Sequence, residues 1–417
     1  MYIENSINLM NLILSLSDAL DLVSPFLAQH QMRTAFIAWE IAKEFGISSD
    51  DIENLFIASL LHDVGALSPE EKMKIREFEI IDPEPHCIYG EVFLKEVSFF
   101  QHASRIVRFH HTPWTQMKKQ SMSPLAICSQ ILHLADTIER TIARPKYILH
   151  QVERVINLIE AQEDEFCPDL LTIFRRISQR EDFWLDSTSP RLYSILLHHG
   201  PGKNKEINFN ELLSISELFR NLIDFRSRFT ATHTTGVATS AASLARKFGL
   251  TGKEVEFMEI AGNFHDLGKL VISNSILEKV DKLTEDEFAL MKQHTYFTYS
   301  ILTSIGGIRY IAECAAFHHE RLDGSGYPFH LDASKLTTGA RIMAVADILT
   351  ALAEDRPYRK GMEKSEVLKI LTKMGKKGFL DRLIIKVLTE NYDEIITITK
   401  EKQEHTLQKY RDGFTKE

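Results

Sequence analysis

Apolar residues recur along this chain at the three-and-four spacing of helices, and strand-like alternation is rare. Ala35-Phe-Ile-Ala-Trp-Glu-Ile-Ala-Lys-Glu-Phe45 carries such a stripe and stops at Gly46, a residue suited to close a helix in the left-handed conformation. Val237 to Phe248 repeats the pattern and stops at Gly249. A brief alternation at Ile207-Asn-Phe-Asn-Glu-Leu212 predicts a small strand. After Asp381 the chain becomes charged, and Lys400-Glu-Lys-Gln-Glu-His-Thr-Leu-Gln-Lys409 predicts a solvated helix with a frayed end. The expected fold class is all-α, with at most a small strand element.

The helices come in two copies. Asp21-Leu-Val-Ser-Pro-Phe-Leu-Ala-Gln-His30 parallels Asp224-Phe-Arg-Ser-Arg-Phe-Thr-Ala-Thr-His233. From His30 to His62, and from His233 to His265, is 32 positions; from His86 to His110, and from His294 to His318, is 24. Ile131-Leu-His-Leu-Ala-Asp136 echoes Ile342-Met-Ala-Val-Ala-Asp347. One helical unit has been duplicated. Leu149 to about Leu197 reads as helices closing the first copy, and His198-His199-Gly-Pro-Gly202 reads as a linker with both histidines at the surface. The expected domains are 1–200 and 201–417.

Chemistry enters with His265-Asp-Leu-Gly-Lys269. Neighbours on a helix diverge by roughly 100°, so His265 and Asp266 serve one compact site only if it spans a pair of metals. Gly268 lets the backbone turn there. His233, His294, the pair His318-His319 and Asp347 all lie in apolar helical segments, where an isolated core histidine would need its own buried partner. Five histidines and two aspartates, with no cysteine among them, suit Fe, Mn or Zn better than Ca or Mg. The first copy keeps His30, His62, Asp63, His86, His110, His111 and Asp136, a second candidate metal set. It carries Ala66 in the place of Lys269, so its cluster lacks that cation.

Composition narrows the partners. At 417 residues, 44% apolar and 26% charged, the chain is an ordinary globular protein. Its net charge of −9 gives no footprint for polymeric nucleic acid or an anionic membrane. Cys87, Cys128, Cys167 and Cys314 are scattered and read as buried thiols. The start lacks a basic leader and no apolar run reaches membrane length, so the cytoplasm is the expected compartment.

The second copy, from about Phe209 to Phe379, resembles the HD-GYP branch of the HD phosphohydrolase superfamily. The motifs that carry the resemblance are His265-Asp-Leu-Gly-Lys269, His318-His-Glu-Arg-Leu-Asp-Gly-Ser-Gly-Tyr-Pro328, Ala346-Asp347 and Asp355-Arg-Pro-Tyr-Arg359. The first copy resembles a divergent HD domain without the Gly-Tyr-Pro part, with a regulatory or ligand-binding role expected. The resemblance implies two all-helical domains and a metal-dependent phosphodiesterase acting on 3′–5′ cyclic dinucleotides, cyclic di-GMP or 3′3′-cyclic GMP-AMP. It implies His233, His265, Asp266, His294, His318, His319 and Asp347 as ligands of iron or manganese (zinc, magnesium or nickel being alternatives), and Lys269 as the phosphate-contacting lysine. It also links Gly326, Tyr327 and Pro328 to the shape of the site and to protein partners. Members with three metals carry Glu four residues before the first ligand histidine. That position is Phe229 here, so two divalent ions are expected.

On this reading a hydroxide shared by the metals attacks phosphorus, Asp266 bridges the ions, and Lys269 offsets charge on the departing oxygen. Arg341, Arg356 and Arg359 are candidates for the second phosphate or a guanine edge, and Tyr327 for stacking or packing. Alternatives are a broader nucleotide phosphohydrolase, a mixed-valent di-iron oxygenase and a non-hydrolysing adaptor. A homodimer is also compatible with duplicated helical faces.

Overall fold

The computed structural model describes residues 6–22, 27–66, 69–76, 83–117, 122–226, 232–355 and 360–414. The chain divides into two compact units, Asn8–Glu206 and Ile207–Glu417, the latter also taking Ile7. Helices dominate both. Among the described residues the strands are Ile7–Asn8 and Glu206–Ile207, which pair in one two-stranded sheet. The expected strand at Ile207–Leu212 is therefore mostly helix, because Phe209–Arg226 buries Leu212, Ile215, Leu218 and Phe219 along one stripe.

In the first unit the framework is His30–Phe45, Ser49–Leu61, a tight turn at His62–Gly65, Glu84–Leu94, Gln101–Arg108 and Pro124–Thr141. In the second it is His233–Phe248, Gly252–Phe264, a tight turn at Leu267–Val271, Glu285–Ile305, Arg309–Ala316 and Thr338–Ala353. Local chemistry sets the ends. Gly46 (φ 80°) and Gly249 (φ 94°) close the first helix of each set in the left-handed region. Ser48 accepts from the Asp51 amide, while Thr251 with Glu254 and Thr284 with Glu287 form reciprocal capping boxes. Val152–Glu160, Pro168–Ile177, Glu181–Ser187 and Leu192–His199 complete the first unit, and both His198 and His199 are exposed.

The charged C-terminal segment departs from expectation. Arg382–Phe414 is helical, apart from a break at Asn391, and packs along His233–Phe248. Thr399 and Thr406 are buried, and Gln403 Nε2 donates to Thr232 O at 3.0 Å. A helix of low mean hydropathy is held here by a narrow buried seam.

Glycine matters most where each tight turn meets the next helix. A Cβ on Gly268 would lie 1.9 Å from His294 O, and one on Gly65 would lie 2.0 Å from His86 O. The motif glycine is thus required by close approach of two backbones. Gly268→Ala is expected to destabilise the chain by on the order of 3 kcal/mol and to lower its metal content, read by thermal melting and elemental analysis. An unchanged melt would refute the contact.

Candidate metal centre

In the second unit, helix ends and one helix flank bring seven side chains together. His265 caps Gly252–Phe264, Asp266 begins the tight turn, His294 lies on Glu285–Ile305, and His318 and His319 follow Arg309–Ala316. His233 opens its helix and Asp347 lies within Thr338–Ala353. The donor atoms of His233, His265 and Asp347 lie within 4.8 Å of one another, and so do those of His294, His318 and His319. Asp266 reaches both triads: Oδ2 is 3.2 Å from His265 Nε2, and Oδ1 is 3.5 Å from His294 Nε2. Six of the seven are buried, and His319 stands at the rim with a third of its side chain exposed.

The orientation of the imidazoles fits metal. Nδ1 of His265, His294 and His318 each donates to the carbonyl three residues earlier, at 2.8, 2.6 and 2.7 Å. That leaves each Nε2 directed inward as a lone-pair donor. Nε2 of His265 is buried with no hydrogen-bond partner among the described residues, an arrangement that costs about 1–3 kcal/mol unless an ion fills it. Burial and neighbouring His319 hold His318 well below the ordinary histidine range, and burial lowers His294 to about 3, so both are neutral ligands in waiting.

His233 differs. Burial acts against its charged form, but Glu354 (3.0 Å from Nδ1) and Asp347 (3.2 Å from Nε2) outweigh burial and push it up to about 10. Without an ion it is an imidazolium between carboxylates at neutral pH, and loading must displace that proton. Apparent affinity should therefore rise with pH below about 10, by at most roughly tenfold per unit. Calorimetric manganese titrations in buffers of different ionisation enthalpy should report at least one proton released per chain at pH 7.5. Zero release would contradict the His233 assignment.

Lys269 Nζ donates to Asp266 Oδ2 at 2.5 Å. The turn that carries it is gripped by Arg226, which donates to the carbonyls of Lys269 and Leu270 at 2.8 Å and to that of Ile272. Thr298 Oγ1 accepts from the Gly268 amide and donates to His265 O. No pattern in the sequence marks Glu354, Arg226 or Thr298, since each meets the site only through the fold.

The Gly-Tyr-Pro segment lies beside the rim. A Cβ on Gly326 would meet Glu320 Cα at 2.4 Å, and the Tyr327 ring sits 4.9 Å from that of His319. Tyr327–Pro328 is a cis peptide. Buried Glu320 accepts from the Phe329 and Leu331 amides, and Phe329 packs on Tyr299 and Phe317. Tyr327 is thus a packing neighbour of His319. Arg341, a candidate phosphate contact, is held by the chain itself. All three of its nitrogens are engaged, with Leu336 O, Ala333 O and Asp381, because it fastens the loop before its own helix. Arg356, Arg359 and Phe229 lie outside the described residues.

The first unit assembles a parallel cluster. His30 Nε2 lies 3.4 Å from both Asp63 Oδ2 and Asp136 Oδ1, and the Nε2 atoms of His86 and His110 face each other at 3.3 Å. Nδ1 of His62 and His110 again donates to the carbonyl three residues earlier. His62 Nε2, Asp63 Oδ1, His111 Nε2 and Asp136 Oδ1 are buried without hydrogen-bond partners among the described residues, so this set also fits metal. Glu139 backs His30 at 2.5 Å, as Glu354 backs His233. Cys87 Sγ comes within 3.8 Å of His86 Nε2, a thiol near the cluster that the sequence reading had not included.

Comparison with known proteins agrees with this doubling. Models described as HD domain match residues 27–141 and 217–384. The chain carries two HD domains. Along 93% of its length, and 93% of the relative, it is 27% identical to 3′3′-cGAMP-specific phosphodiesterase 1 of Vibrio cholerae. Over 40% of its length, and 44% of the relative, it is 38% identical to the cyclic di-GMP phosphodiesterase response regulator RpfG of Xanthomonas campestris. A crystal structure of a V. cholerae cyclic GMP-AMP phosphodiesterase, V-cGAP3, shares the tandem HD fold, with a TM-score of 0.65 at 21% identity over 93% of this chain and 98% of the other. Among the described residues no helix is long and apolar enough to cross a membrane.

Proposed function

We propose that the second HD domain is a metal-dependent phosphodiesterase that opens 3′–5′ cyclic dinucleotides to the linear dinucleotide. The observation that carries this is the pair of donor triads joined by Asp266, with Lys269 beside it. Two divalent ions, iron or manganese, suit the mixed nitrogen and oxygen set. When bound, such a pair supplies water activation near neutral pH and charge compensation at phosphorus. The chain's own residues do the rest. Lys269 adds a cation at the edge of the cluster to offset charge on the departing 3′-oxygen. His233, with a carboxylate on either side, keeps its nitrogen aimed at the cluster, and His319 with Tyr327 forms the rim on the solvent side. Relatives named for cyclic GMP-AMP align along 93% and 88% of the chain, so that dinucleotide is the first substrate to test.

The test is chromatography of products after anaerobically purified, manganese- or iron-loaded protein meets cyclic GMP-AMP and cyclic di-GMP. The linear dinucleotide is the expected product. Inorganic phosphate from mononucleotides, with both cyclic dinucleotides intact, would replace this reading by a broader phosphohydrolase. Tight binding without cleavage would replace it by an adaptor.

A further inference from the structure

The two HD domains pair their cations with different aspartates of corresponding clusters. In the second, Lys269 pairs with the aspartate that follows the motif histidine, and four residues beyond Asp347 stands Ala351. In the first the choice is reversed. Ala66 takes the lysine position, and Arg140, four residues beyond Asp136, puts Nη1 3.2 Å from Asp136 Oδ2. Arg140 also donates to Ile75 O. The first cluster, which lacks the cation of Lys269, therefore has one of its own from another helix.

Arg140 lines a cavity of about 690 Å³ together with His111 and His133. The same cavity is lined by the acidic residues Glu163, Asp164 and Glu165. His111 belongs to the candidate metal set, and its imidazole lines both this cavity and a neighbouring one of about 390 Å³. The cluster thus opens onto space large enough for a small organic ligand. His133 Nδ1 donates to His110 O at 2.7 Å, which fixes that ring in the cavity wall.

A bare anion suits this lining poorly, since four acidic residues, Glu160 among them, line the same space. A ligand with an anionic end and a donor-rich end suits it well. Guanidinium donates to phosphate oxygens, and carboxylates accept from the N–H donors of a purine edge. We propose that the first HD domain is a purine-nucleotide receptor site, with phosphate at Arg140 and the base toward Glu163–Glu165. A mononucleotide and a dinucleotide share this chemistry. The proposal concerns binding and does not depend on turnover in the second domain.

The experiment uses the full chain carrying Asp266→Ala, loaded with manganese, so that the second domain cannot consume the probes. Equilibrium dialysis with GMP, AMP, linear pGpA, cyclic GMP-AMP and inorganic phosphate should show one purine nucleotide bound per chain. Adding Arg140→Met should weaken it at least tenfold, and whether monomers or only dinucleotides bind identifies the source. If Arg140→Met does not fold, the exposed pair Glu163→Gln and Asp164→Asn should weaken nucleotide binding while leaving thermal melting unchanged. No nucleotide bound, phosphate bound as tightly as nucleotide, or affinity untouched by these substitutions would overturn the proposal. Wild-type product chromatography tests the second domain separately, so the two readings fail independently.

Discussion

Asp266→Ala is expected to empty the second cluster and abolish turnover together. Its carboxylate lies within 3.5 Å of a nitrogen in each donor triad, and it is 2% exposed. Burial, the largest influence on its acidity, favours the neutral form, yet His265 and Lys269 hold it well below the ordinary carboxylate range. It is therefore an anion in a dry site, and its loss leaves Lys269 without its paired carboxylate and the two donor triads without the group that joins them. The rate should fall by more than about 10³-fold, beyond the 10²–10³ of one lost electrostatic stabiliser. Elemental analysis and product chromatography on one preparation check this. A protein that keeps its metal and its rate would end the assignment of Asp266.

Lys269→Ala should separate the two effects. The lysine contacts Asp266 but belongs to neither donor triad, so metal content should stay at the wild-type level. Turnover should drop by about 10²–10³, mainly in kcat, since the charge it offsets grows in the transition state. Loss of metal in this variant would instead make Lys269 a structural partner of Asp266. Its position rests on Arg226, whose guanidinium gathers the carbonyls of the same turn. The first domain, with Ala66 in the turn, has Val23 at the place corresponding to Arg226.

Much of this was legible in the chain because helices write their faces at short range. The stripe before Gly46 and Gly249, the paired 32- and 24-residue spacings and the His-Asp dipeptides each depend on neighbours within a few turns. What stayed hidden depends on tertiary contact. Glu139 and Glu354 each back the first histidine of their cluster, yet one lies three residues after its aspartate and the other seven, so the repeat conceals their equivalence. Arg140 and Lys269 sit on different carboxylates for the same reason. Arg341 looked free for a ligand because its acceptors, Ala333, Leu336 and Asp381, are brought to it only by the folded loop. The charged tail looked solvated because its seam is only a few residues wide.

The bonds from imidazole Nδ1 to carbonyls three residues back have a bearing on how such a protein lives with a changing supply of ions. Folding alone decides which nitrogen each of these rings offers, so exchanging one divalent ion for another asks nothing of the backbone. Discrimination then rests on ligand type and spacing, which first-row ions share closely. Cells grown on iron and cells grown on manganese would hold the same polypeptide shape with different reactivity inside it.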